Sequence, residues 1–268
     1  MRGKLLAGVV AVTVVAALGG QAFSDGKKGV EKYMVGDKQS GYVYATPETQ
    51  AMQDDDFSNP AFLWLEHGEE LWTKVDGEAG KSCASCHQDA ATSMKTVGAT
   101  YPKYYAKLKK PINVEQRINI CRTENMKAKP FKYESRAMLG MTIYVKNQAR
   151  DMPMNVSTDG PMKPFYEAGK KFYEQRRGQL DMACANCHVD NAGKRIRANL
   201  LSEGMANGFP TYRLKWQKPG SLHRRFRGCN KQVRAKPYKY GADEYVNLEI
   251  YLGSRAKGLP VETPAVRN

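Results

Sequence analysis

The feature that most constrains this chain is a pair of short motifs, Cys83-Ala-Ser-Cys86-His87 and Cys184-Ala-Asn-Cys187-His188, about a hundred residues apart. Cys-x-x-Cys-His is the attachment signature of c-type haem. The two thiols add across the haem vinyl groups, and the histidine that follows is held under the porphyrin, where it ligates the iron. A zinc site would need a second ligand pair at finger-like spacing, and none follows either motif. A thioredoxin-like dithiol leaves the histidine of both copies unexplained. The motifs therefore predict two covalently bound haems c. Cys83, Cys86, Cys184 and Cys187 are the attachment thiols, and His87 and His188 are the proximal iron ligands.

The start of the chain fits that chemistry. Residues 1–22 carry a basic start (Arg2, Lys4), an apolar run from Leu5 to Leu18 and a small-x-small stretch, Gly20-Gln21-Ala22. This is the pattern of a secretory signal peptide cleaved near Ala22. No other apolar run has the length of a membrane span. Haem is attached to cytochromes c outside the cytoplasm, so leader and motifs together predict a periplasmic protein. Without Arg2 and Lys4, 40 basic side chains stand against 27 acidic ones. That excess suits a small anionic substrate or an acidic protein partner. Nucleic acid is a poor fit to an exported haem protein.

An internal repeat organises the rest. Tyr101–Cys121 aligns on Phe209–Cys229 without a gap, matching Pro102 with Pro210, Lys107 with Lys215, Pro111 with Pro219, Arg117 with Arg225 and Cys121 with Cys229. One residue is then dropped, and Ala128-Lys-Pro-Phe-Lys-Tyr133 meets Ala235-Lys-Pro-Tyr-Lys-Tyr240. Upstream, Gly68 matches Gly169 and Trp72 matches Tyr173. Apolar residues at helical spacing predict helices over 59–74 and 163–177 before the haem motifs. Closing helices fall over 137–146 and 243–252, and few stretches alternate with strand period. The expected fold is all-α, two tandem class I cytochrome c-like domains from an internal duplication. Residues 23–55 read as a polar, Gly-rich extension, 56–158 as the first domain and 159–268 as the second, joined near the turn-forming segment 156–161.

Two of the six cysteines remain, Cys121 and Cys229, at equivalent places in the repeat. A disulfide between them is one reading, in an oxidising compartment. It would have to bring equivalent points of two separate domains within about 7 Å. The other reading makes each the distal ligand of its own domain's haem, since thiolate is an accepted axial ligand. Methionine competes through Met152-Pro153-Met154, but the second copy has Gly258-Leu259-Pro260 there, and Met205 has no partner in the first copy. Cysteine is the soft ligand type that occurs symmetrically, which favours Cys121 and Cys229. His67 and His223 lack counterparts, Ala168 and Glu115 standing in their places, and read as surface or pocket residues.

Two C-x-x-C-H motifs, a repeat-placed cysteine after each, and Arg225-Phe-Arg-Gly-Cys229-Asn230 resemble the SoxA family, dihaem subunits of the periplasmic SoxAX cytochromes of thiosulfate oxidation. The resemblance covers essentially the whole chain after the leader. It implies His/Cys ligation of both haems, with Cys121 and Cys229 distal, and an active site at the second haem. It also implies that Cys229 is modified as a persulfide and that Arg225 binds substrate. The implied activity couples thiosulfate oxidatively to a cysteine of the SoxYZ carrier, with a SoxX-like monohaem partner and a soluble cytochrome c as acceptor. On a helix Arg225 and Cys229 would share one face at i, i+4, and Arg224, Arg227 and Arg234 would add positive potential around the pocket. The same type of arginine, Arg117, precedes Cys121, so a structural or propionate-binding role for Arg225 stays open. A plain dihaem electron carrier is the rival reading, and a dihaem peroxidase a weaker one.

Overall fold

A computed structural model describes residues 29–268, so the expected leader over residues 1–22 lies outside the described residues. Helix α1 (Pro47–Asp54) precedes the first repeat. That repeat contains α2 (Phe62–Thr73), α3 (Ala84–His87), α4 (Ala90–Ser93), α5 (Val97–Thr100), α6 (Val114–Ile120) and α7 (Arg136–Asn147). The second contains α8 (Lys163–Glu174), α9 (Cys184–His188), α10 (Leu222–Gln232) and α11 (Asp243–Arg255). The helices expected from apolar spacing are α2, α7, α8 and α11, displaced by no more than a few residues at their ends.

Local chemistry starts the helices that matter for the site. Ser135 and Ser221 accept the Met138 and Arg224 amides as N-caps of α7 and α10. Asn113 and Gln116 form a reciprocal capping box on α6. Each cap satisfies backbone donors that the first turn leaves without partners. Each repeat also has a short antiparallel hairpin, Lys103–Tyr105 with Lys110–Ile112 and Thr211–Arg213 with Lys218–Gly220. Strand Ala265–Arg267 pairs in parallel with Thr211–Arg213 and extends the second hairpin to three strands.

Two helix crossings carry the repeats, α2 on α7 and α8 on α11. At the first, Gly68 lies against the Gly140 carbonyl; at the second, Gly169 lies against the Asn247 carbonyl. Only a residue without Cβ lets the backbones approach so closely. Around the first crossing Trp72, Val114, Met141 and Val145 form a core. Around the second, Phe172, Tyr173, Phe226, Tyr245, Leu248 and Leu252 do the same. A third core lies between the repeats and contains Met154, Val156, Ile250, Leu259 and Val261. Met154 is 4% exposed there, so the Met-Pro-Met stretch fills the interdomain core. Among the described residues, no helix is long and apolar enough to cross a membrane.

The glycine crossing generates a direct prediction. A Cβ at position 169 would run into the Asn247 backbone, which cannot swing aside. Gly169→Ala should destabilise the protein by about 1–3 kcal/mol, the usual cost of overpacking, read as a lowered melting temperature.

Candidate active site

Helix α9 presents Cys184, Cys187 and His188 to a cavity of about 560 Å³, and α10 presents Arg225 and Cys229 to the same space. Because α10 is regular from Leu222 to Gln232, Arg225 and Cys229 sit one turn apart on one face. The His188 Nδ1 lies 2.7 Å from the Ser202 carbonyl. A carbonyl only accepts, so Nδ1 carries the proton and Nε2 keeps its lone pair, the tautomer of a metal-binding histidine. The Cys229 thiol comes within hydrogen-bonding reach of the same imidazole. Phe172, Tyr173, Phe226, Leu248 and Leu252 supply an apolar wall.

These residues fit a haem c. The cavity has the size of a typical cofactor pocket, two thiols stand at its edge, and a histidine nitrogen and a soft sulfur are both available to iron. The thiols differ in character. Burial pushes Cys184 up to about 12, with Cys229 adding to the rise. Burial also works against ionising Cys229, but Arg225, His188 and Arg213 outweigh it and bring that thiol down to about 6. A thiol in such an electropositive pocket has thiolate character and is a competent sulfur nucleophile.

The first domain repeats the parts without that electrostatics. His87 packs at 5.9 Å against Trp72, whose Nε1 donates to the Gln88 carbonyl. Cys121 opens a π-helical turn directly after α6 and is close enough to Cys83 and Cys86 to influence their shared electrostatics. Here burial dominates and raises the Cys121 thiol, although Arg117 opposes it. No disulfide joins Cys121 to Cys229, the pairing considered above.

One contribution to the difference between the domains, smaller than those of Arg225 and His188, comes from a residue that the sequence alone did not single out. Position 213 is arginine in the second repeat and Tyr105 in the first. Arg117 rests its guanidinium over the Tyr105 ring at 5.4 Å, whereas Arg213 is a second cation beside Cys229. Burial, then Arg225, lowers Arg213 to about 10, the signature of like charges crowded together. Tyr105 and Arg213 are one of many mismatched pairs between the two repeats, so the alignment alone does not single them out. Arg224, Arg227 and Arg234, expected to face the pocket, do not line it. Arg224 lies 3.5 Å from Glu134 and 4.4 Å from the Trp216 ring, and Arg227 donates to the Tyr238 carbonyl. Arg197, Lys215 and Arg267 line the cavity beside Arg213 and Arg225. Met205 also lines it, while His67 pairs with Glu70 on the surface and His223 is wholly buried.

The described part of the N-terminal extension completes the cavity. Gly41, Tyr44 and Ala45 line it together with Asn268. This segment is strapped onto the second domain through Glu262, which is 5% exposed. Ser40, Gln53, Asn207 and Arg267 all hydrogen-bond or pair with that carboxylate. Tyr44 adds a hydrogen bond to Glu203.

Two repeats of helix, C-x-x-C-H motif and crossing helix define a tandem cytochrome c. A family model described as SoxA/TsdA, cytochrome c domain, matches residues 67–154 and 168–261. The L-cysteine S-thiosulfotransferase subunit SoxA of Pseudaminobacter salicylatoxidans is 50% identical over 229 residues, 85% of this chain and 80% of that protein. The corresponding subunit of Rhodovulum sulfidophilum is 42% identical, over 86% of this chain and 80% of that one. The crystal structure of SoxXA from P. pantotrophus superposes with a TM-score of 0.83 at 42% identity, covering 86% of this chain and 87% of that one. The chain belongs to the SoxA family.

The strap generates the second prediction. Glu262→Ala would remove the carboxylate shared by Ser40, Gln53, Asn207 and Arg267, and should cost about 1–3 kcal/mol. Thermal unfolding should register that loss, and protease should cut first in residues 39–54.

Proposed function

We propose that this protein is the sulfur-transferring subunit of an L-cysteine S-thiosulfotransferase, periplasmic and carrying two haems c. One haem is attached at Cys83 and Cys86, with His87 and Cys121 as axial ligands. The other is attached at Cys184 and Cys187, with His188 and Cys229 as axial ligands, and is the site of reaction. The observation that carries this reading is the meeting of Cys229, Arg225 and His188 in one cationic cavity. The kinship with subunits named L-cysteine S-thiosulfotransferase favours it over a plain dihaem electron carrier.

The chemistry balances. A carrier thiol and thiosulfate give the carrier S-thiosulfonate, one proton and two electrons. Arg225 offers a rigid donor fork to the sulfonate oxygens, and Arg213 and Lys215 add to the potential that draws in a dianion. The sulfane sulfur then meets the terminal sulfur of a Cys229 persulfide, and the two sulfurs bond with loss of two electrons. The carrier thiolate attacks the former sulfane sulfur, forms the product disulfide and returns the persulfide anion of Cys229. The haem in the cavity, when bound, would accept these two electrons one at a time, passing the first on before it takes the second. Ser202 fixes the His188 ring, and the strap with the apolar wall keeps water from the reacting sulfurs. The carrier is the SoxYZ protein, a SoxX-like monohaem cytochrome binds as partner subunit, and a soluble cytochrome c removes the electrons.

Cys229→Ala should abolish conjugation of thiosulfate to a carrier cysteine while both haems remain attached, measured by mass of the carrier. Conjugation at the wild-type rate in that variant would sink the proposal. Arg225→Ala should lower kcat/KM for thiosulfate roughly 10- to 100-fold, the loss of a hydrogen bond to a charged group. Its haem spectra should be unchanged, and a full-rate variant would leave Arg225 a structural role only.

A further inference from the structure

Four ionisable side chains meet between the two domains, on the far side of the apolar wall from the cavity of Cys229; Glu115 and His223 are buried, Lys146 and Glu249 half-buried. Glu115, on α6, is 7% exposed. Lys146 comes from α7 of the same domain. His223, on α10, is wholly buried, and Glu249 comes from α11. Glu115, Lys146 and Glu249 line a small cavity of about 30 Å³ between the domains, room for about one water. Glu115 and His223 occupy equivalent positions of the repeat. The duplication has therefore diverged so that complementary groups face each other across the interface.

Hydrogen bonding decides where a proton can reside. The Gly241 amide donates to His223 Nδ1 at 3.0 Å, which requires the lone pair of that nitrogen. The ring proton is therefore on Nε2, 3.0 Å from Glu249 though not aligned for a good hydrogen bond. Burial opposes a charged His223, and Glu249, Glu115 and Glu134 together favour one. The carboxylates prevail and raise His223 from its ordinary range, while the Gly241 amide at Nδ1 favours the neutral ring. Glu249 also has Asn113 Nδ2 at 3.4 Å. Tyr133, stacked on His223, gives its hydroxyl to Asn113 rather than to either carboxylate. Glu134 lies 3.5 Å from Arg224. With His223 neutral, two carboxylates share the single cation Lys146, and one negative charge is left over in a buried site. Glu115 is the carboxyl that relieves it: burial first, then Glu249, moves it from its ordinary 4.5 up to about 7.

This cluster is next to the haem cavity. Phe209 and Leu222 line both spaces, so a single layer of side chains separates them. Charges on either side of so thin an apolar layer interact strongly. We propose that Glu115, facing Glu249 across the domain interface, is a proton-binding site coupled to the redox state of the second-domain haem. When an electron reaches the haem, a proton from solvent binds a Glu115 carboxylate oxygen in a larger fraction of molecules, which offsets part of the added charge. Coupling of this kind is reciprocal. Reduction tightens proton binding at Glu115, and protonation of Glu115 makes that haem easier to reduce. The proposal rests on the assignment of a haem to Cys184, Cys187 and His188.

The test is spectroelectrochemical titration of each haem between about pH 5 and 9, in the full-length holoprotein and in Glu115→Gln. In the wild type the second-domain haem potential should fall with rising pH, equivalent to proton binding at least about fivefold tighter in the reduced state. In Glu115→Gln the slope should vanish, together with the protonated-carboxyl band of the redox-difference infrared spectrum. Lys146→Met, which leaves the carboxylates without their cation, should move the same slope to higher pH. Thermal unfolding gives an independent reading. A folded-state carboxyl raised from 4.5 to about 7 binds more protons than the unfolded chain, so stability falls as pH rises through that window. Glu115→Gln should remove that fall. A pH-independent potential in the wild type, or a slope that survives Glu115→Gln, would overturn the proposal. A protein in which only one haem titrates would overturn the two-haem reading itself, and the proposal with it.

Discussion

Everything in either half of this protein hangs on a helix crossing with no side chain between the two backbones. Gly169 against the Asn247 carbonyl, and Gly68 against Gly140, let α8 meet α11 and α2 meet α7 at backbone distance. Large side chains are thereby displaced to the flanks of each crossing. In the second domain those displaced groups are Phe172, Tyr173, Leu248 and Leu252, and they form the apolar wall of the cavity that Cys229 faces. The loops carrying the C-x-x-C-H motifs need only span from the end of one crossing helix to that wall. The same economy explains why a motif of five residues can be placed so reliably: its frame is fixed by backbone contact rather than by long, adjustable side chains.

Duplication gave two such frames, and electrostatics distinguishes them. Each has a cysteine at the end of a helix and an arginine one turn earlier. In the first, the arginine lies on Tyr105 and burial governs the Cys121 thiol. In the second, Arg213 replaces that tyrosine and Cys229 faces two guanidinium groups. Arg225 and the His188 ring do most to hold the Cys229 thiol near ionisation, and Arg213 adds to them. Strand Ala265–Arg267, paired beside Arg213 in the second domain, helps to hold that arginine in place.

Much of this was legible in the sequence because it is local or repeated. The haem motifs are contiguous, the long helices show their apolar spacing, and the repeat exposes Cys121 and Cys229 as equivalent. The i, i+4 relation of Arg225 and Cys229 needed only the inference that α10 is helical. What escaped notice depends on distant pairing. Arg224 and Arg227 were read as pocket residues because they neighbour Cys229 in sequence. At 3.6 residues per turn they leave the face of Arg225 and Cys229, and they find Glu134 and the Tyr238 carbonyl instead. Composition left open whether the polar, glycine-rich extension wraps onto the domains or frays. It is ordered by Glu262, about 209 positions from Gln53, through hydrogen bonds with no periodic trace.

That separation has a consequence for how the molecule comes to maturity. The segment over residues 39–54 leaves the ribosome early, yet its anchors at Asn207, Glu262 and Arg267 arrive among the last. Contacts so far apart along a chain form late and slowly. Until they form, Gly41, Tyr44 and Ala45 cannot close over the second cavity. The order of synthesis therefore leaves the cavity of Cys229 uncovered until the C-terminal strand is in place.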